Sequence, residues 1–107
     1  SLVHKFSGFY KKIYLLCSKI PKKDRFGIHS KIENICIEAL ISIITASFEN
    51  KNNKLTYLYS ARIKIELLKR LLRMEYELGL IKNKYLEFEA DLQEISKMTN
   101  GWIKYLK

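Results

Sequence analysis

The chain has 107 residues, of which 48% are hydrophobic, and carries 20 Lys and Arg against 11 Asp and Glu, a net charge of +9. That length holds one domain with one modest core and excludes an enzyme built around a sizeable internal cavity. The charge predicts an anionic partner, with nucleic acid the leading class.

Breaks are sparse and regular: Ile20-Pro21-Lys22-Lys23-Asp24, then residues 49–54, then residues 78–83. Between them apolar residues recur at the helical period with no strand alternation, which predicts helices over about 2–20, 25–48, 54–78 and 83–106. Short loops between helices of similar length predict an all-α, antiparallel up-down-up-down four-helix bundle, a single domain over residues 1–107.

The first helix aligns Phe6, Phe9, Ile13, Leu16 and Ile20, with Lys5, Lys12 and Lys19 on a second stripe. Pro21 biases Ile20 out of the helix, and Asp24 is placed to cap the next one. The seven Lys and Arg of residues 1–25 face Asp24 alone, and those of residues 51–79 face three acids. These two segments hold the basic character.

In the second helix Lys31, Asn34, Glu38, Ser42 and Thr45 share one arc, and most of the remaining circle is apolar. A helix apolar nearly all round must be covered nearly all round, and no helix of a four-helix monomer is central enough for that. The stretch from Ile35 to Phe48 is too short and too interrupted to span a bilayer.

The third helix carries two apolar stripes. One is Leu58, Ala61, Ile65, Leu68, Leu72 and Tyr76, and the other is Ile63, Leu67, Leu71, Met74 and Leu78. The surplus predicts a homo-oligomer joined through Ile37, Ile41, Ile44 and Phe48 of the second helix and Ile63, Leu67, Leu71 and Met74 of the third. Arg62, Lys69 and Arg73, flanked by Arg70, line about 16 Å of one face, a spacing suited to phosphates. Glu66 and Glu77 on that face offer ordinary pairing one turn away.

Gly79 suits the left-handed position that ends a helix. In the fourth helix Glu87, Glu89, Asp91 and Glu94 favour the N-terminal dipole. Gly101 beside Trp102 predicts close backbone packing against another helix or subunit, which adds Trp102 to the interface. A second basic cluster, Lys19, Lys22, Lys23 and Arg25, lies on the first loop. An antiparallel bundle puts it at the same end as Lys82 and Lys84, so a ring of protomers would carry a basic rim.

Catalytic signals are weak. His4 and His29 are isolated, with His29 read as a surface or capping residue, and Cys17 and Cys36 as buried thiols of a reduced protein. There is no phosphate loop and no nucleophile motif, and neither a metal nor a cofactor is expected. Nor is there a helix-turn-helix, zinc knuckle or aromatic sheet platform, so binding should rest on phosphate contacts with little sequence preference. No apolar leader with a cleavage site opens the chain, which points to a cytoplasmic protein. It begins at Ser1 without Met, leaving room for native residues ahead of it.

Three stretches together resemble a known family. They are Ile20-Pro21-Lys22-Lys23-Asp24-Arg25-Phe26, Leu67-Leu68-Lys69-Arg70-Leu71-Leu72-Arg73, and the closing Glu94-Ile95-Ser96-Lys97-Met98-Thr99-Asn100-Gly101-Trp102-Ile103. The pattern resembles the accessory variability determinant proteins of diversity-generating retroelements, relatives of the ribosomal-RNA intervening-sequence-encoded four-helix bundles. The resemblance implies a homopentameric barrel without a catalytic centre that binds a reverse transcriptase and template RNA or cDNA during mutagenic retrohoming. It carries the basic role onto Lys22, Lys23, Arg25, Lys69 and Arg73. Two alternatives stay open: a bundle of the intervening-sequence type without a reverse transcriptase partner, and an interaction module whose charge only keeps it soluble.

Overall fold

A computed structural model describes residues Ser1–Lys107, which form helices and turns with no strand. The four long helices are α1 (Leu2–Leu16), α2 (Ser30–Phe48), α3 (Lys51–Glu77) and α4 (Tyr85–Leu106). None is long and apolar enough to cross a membrane.

Each boundary has a local cause. The Ser1 side chain accepts from the His4 amide at the start of α1, which tightens into a 3-10 turn at Cys17–Lys19. Pro21 holds Ile20 extended, at φ −95° and ψ 138°, as expected. The next segment departs from expectation. A single α-helical turn, Lys22–Asp24, runs into a π-helical turn, Arg25–His29, in which Gly27 is non-helical. Helix α2 therefore starts at Ser30 and not near residue 25, and Asp24 makes no capping bond.

Helix α3 begins at Lys51, before the expected boundary, because the Asn50 side chain accepts from the Asn53 amide at 3.2 Å. The polar loop shrinks to Glu49 and Asn50. At the other end Gly79 adopts φ 78°, as its position predicts. Its amide bonds the Tyr76 carbonyl at 3.0 Å, and Leu80 reaches back to Glu75 at 2.9 Å, so two otherwise orphaned carbonyls are satisfied.

Side-chain partners set the directions. Lys69 reaches Ser96 and Tyr76 stacks on Tyr85, so α4 runs against α3. His29 meets Glu75 and Lys54 bonds the Ala46 carbonyl, so α3 runs against α2. Lys5 and Lys12 both reach Asp91 from α1. Helix α1 packs on both α2 and α4, which closes the four-helix bundle.

The main core gathers Phe6, Phe9, Ile13, Ile32, Ile43, Ile65, Leu68 and Phe88 among its buried members. A smaller cluster of Ala46, Leu58 and Ile103 lies apart from it, with Trp102 half-buried against both. The second stripes stay outside. Ile37, Ile41, Ile44, Phe48, Ile63, Leu67 and Met74 are exposed, and Leu71 is half-buried. Gly101 has no close neighbour, since a Cβ there would meet nothing within 4 Å, so no helix of the same chain packs on it.

His29 is fully buried, not a surface or capping residue. The wide π turn shifts the helical phase and carries its ring inward. Its Nδ1 lies 2.8 Å from Glu75 Oε2 and its Nε2 lies 2.9 Å from the Ile13 carbonyl. The Ile13 carbonyl can only accept, so Nε2 carries a proton, and the Nδ1 contact with the Glu75 carboxyl favours the protonated ring as well. Burial, the largest influence, acts to lower the His29 pKa. The bonds to Glu75 and Ile13 and the charges of Glu75 and Glu33 outweigh it, and the net shift is upward from 6.5. The other Glu75 oxygen, Oε1, is buried without a partner.

A raised folded-state pKa means that the pair stabilises fully below the unfolded value of 6.5 and fades as pH rises through the raised one. Thermal melts across that range should show stability declining with pH. His29→Gln should remove that slope and cost about 3–5 kcal/mol at low pH by stranding Glu75.

The two thiols differ. Cys36 is buried, and desolvation, helped by Glu33, pushes it up to about 12, while Cys17 is only half-buried, which corrects the expectation of two buried thiols. A thiol reagent at neutral pH should label Cys17 in the native protein and Cys36 only after denaturation.

Candidate nucleic-acid interface

The two basic loops meet at one end of the bundle, as an antiparallel arrangement requires. A cleft of about 350 Å³ runs between them, lined by Lys19 and Pro21 on one side and by Gly79, Lys82 and Lys84 on the other. Beside it, Lys12, Lys19 and Lys84 line a second hollow of about 200 Å³ together with Glu87. Lys22 and Lys23 are exposed on the single turn that follows Pro21. Arg25 is half-buried and donates from Nε to the Ile20 carbonyl at 2.9 Å, so part of its guanidinium braces the turn.

The row on α3 is split. Arg62 and Arg70 are exposed and form no ion pair, with the Arg62 guanidinium 4.9 Å from the centre of the Tyr59 ring. Lys69 lies 3.1 Å from Glu66, and Arg73 lies 3.3 Å from Glu77, as the spacing allowed. Ion pairs this exposed are weak, screened by solvent and salt, so a phosphate can displace either carboxylate. Arg73 also faces the rings of Tyr76 and Tyr85, at 5.4 and 5.7 Å.

A further charge cluster was not legible from the spacing of the acids. Asp91 is buried and accepts from Lys5 at 3.2 Å and from Lys12 at 2.9 Å, while Lys12 also bonds Glu87 at 2.8 Å. Glu87 stands in the first turn of α4, as expected, and together with Asp91 it also ties α4 to the lysine stripe of α1. The signal was the match of Lys5 and Lys12 at seven residues with Glu87 and Asp91 at four, which register alone brings together. Of that stripe, Lys19 is left without an ion pair and belongs to the basic end.

The nearest approach to a metal-ligand set is Cys17, His29 and Glu33, whose donor atoms lie within 4.8 Å of one another. Both His29 nitrogens are already bonded to Glu75 and Ile13, so the imidazole has no lone pair to offer.

Bonding to Lys12 holds the Glu87 carboxyl below its usual 4.5, aided by the charge of the same lysine. Carboxyl chemical shifts followed through an acid titration should place Glu87 below the ordinary glutamates. Lys12→Ala should return it toward them.

Comparison with known proteins gives one match. The family described as bAvd-like covers residues 2–106, nearly the full chain. No curated protein and no solved structure matches. The match agrees with the resemblance carried by the proline-basic turn, the Leu-basic third helix and the glycine-tryptophan ending. The chain belongs to the bAvd-like family.

Proposed function

We propose that the chain is a non-enzymatic accessory protein of a diversity-generating retroelement, acting as a basic homo-oligomer that binds nucleic acid and a reverse transcriptase. Membership in the bAvd-like family supports the accessory role. The observation that carries the assembly is the pair of apolar outer stripes. Ile37, Ile41, Ile44 and Phe48 lie along α2, and Ile63, Leu67 and Met74 along α3. Phe48 is 88% exposed and Ile63 is 69% exposed, more than single scattered residues would account for.

Two different stripes on one protomer suit a head-to-tail contact, with the α2 stripe of one subunit on the α3 stripe of the next, and such contacts close into rings. Trp102 and the open face of Gly101 fall to the same assembly. A ring sets the loops bearing Lys19, Lys22, Lys23 and Lys82 side by side, and phosphate contacts there would dominate the affinity for template RNA or cDNA.

Light scattering coupled to size exclusion tests both parts. The expected mass is near five times the 12.7 kDa protomer, and it increases on adding single-stranded RNA. Ile41→Glu with Leu67→Glu should yield a helical monomer. Lys22→Ala and Lys23→Ala should each flatten the dependence of log affinity on log salt by about 0.7 per lost phosphate contact. A wild-type monomer that ignores RNA would refute the reading.

A further inference from the structure

Behind the basic end, the turn at Gly79 folds the last residues of α3 against the first of α4. Tyr76 and Tyr85 stack there with ring centres 4.6 Å apart and planes 18° from parallel. The inner ring is buried, its hydroxyl donating to Glu89 at 3.0 Å, whereas Tyr76 keeps 42% of its surface open. Arg73, held by Glu77, lies close to both rings. The two tyrosines and Arg73 border a cleft of about 460 Å³, closed on its other sides by Lys82, Asn83 and Leu86.

We propose that this cleft binds one unpaired nucleobase of a single-stranded nucleic acid, stacked on the Tyr76–Arg73 surface with its flanking phosphate on Lys82. The inference rests on the nucleic-acid reading above and adds a base contact to a surface read there as phosphate-binding only.

Four observations carry it. A flat ring needs a flat platform, and here the inner tyrosine is locked by Glu89, so the outer one is presented without large loss of side-chain freedom. The volume falls within the roughly 300–1,000 Å³ of small-molecule pockets. The walls match the edges of a base, with Leu86 apolar and the Asn83 amide and Glu89 carboxylate able to meet donors and acceptors. Finally, Lys82 is the one non-glycine residue in left-handed backbone, at φ 34°. Such a conformation is strained for a residue with a side chain and is retained where the surroundings demand it.

Lys82 also lines the cleft between the two basic loops, so the two hollows join at its side chain. A strand whose phosphates cross Lys19 and Lys84 would pass directly from that cleft to the tyrosine pair. Stacking tolerates any base, which accords with the lack of a base-specific motif. Tyr76 lies on the inward and basic side of α3, away from the Ile63, Leu67 and Met74 stripe, so assembly through that stripe leaves the cleft open.

The test compares a short single-stranded oligonucleotide with an abasic strand of the same length, in both RNA and DNA form, by fluorescence anisotropy. Wild type should bind the base-bearing strand more tightly. Tyr76→Ala should weaken that strand by about 5- to 100-fold and leave the abasic strand unchanged. Tyr76→Leu, which keeps apolar bulk without a π face, should behave alike, and Tyr76→Phe should bind as wild type does. Lys82→Gln should weaken both strands and lower the salt dependence. Equal losses on both strands, or none, would overturn the base site and leave phosphate binding standing, with the cleft then open to a protein partner. Binding of neither strand by wild type would remove both readings. The RNA and DNA arms tell which polymer supplies the base.

Discussion

Four helices of this size enclose one core, and a helix that is apolar on two sides can give that core only one of them. This constraint shapes everything else in the molecule. Helix α2 turns Ile32, Ile35, Ala39, Ile43 and Ala46 inward, and Ile37, Ile41, Ile44 and Phe48 are left outside because they lie opposite. Helix α3 repeats the division with Leu58, Ile65, Leu68 and Leu72 inside and Ile63, Leu67 and Met74 outside. At about 25 cal/mol per Å², apolar surface in that amount is a large standing driving force for association. The fold of one protomer leaves those stripes uncovered.

Charge is distributed by the same geometry. Lys5 and Lys12 on α1 pair with Asp91 and Glu87, where they help to lock α1 on α4. Of the lysines on the turns only Lys84 has an acid near, Glu87 at 3.9 Å, because the loops Ile20–Asp24 and Leu78–Lys84 face each other across a cleft lined by lysines on both sides. Part of the basic excess, Lys19, Lys22, Lys23 and Lys82, is therefore presented at one end, where it can act on an anion at short range. The backbone device at that end is the glycine-ended turn of α3, which sets both the lysine-lined cleft and the tyrosine stack.

The buried pair of His29 and Glu75 stands apart from these surfaces and joins the beginning of α2 to the end of α3. Through its two bonds the buried ring ties the start of α2 to both α1 and α3. An isolated histidine in a list of residues carries no sign of this. Its partner is 46 positions away, and the π-helical turn that rotates it inward leaves only Gly27 as a trace in the sequence.

Periodicity by itself determined the four helices, the core stripe of the first, and the apolar surplus of the second and third, since these depend on residues three and four apart. Composition determined the basic character, and Pro21 and Gly79 marked where helices stop, because each acts on its own backbone. The tertiary structure alone decided what meets across helices. It paired Lys5 and Lys12 with Asp91, buried His29 on Glu75, left Cys17 half-open, and stacked Tyr76 on Tyr85 beside Arg73. Those contacts join residues far apart in the chain, and their existence depends on a register between helices that no local pattern encodes.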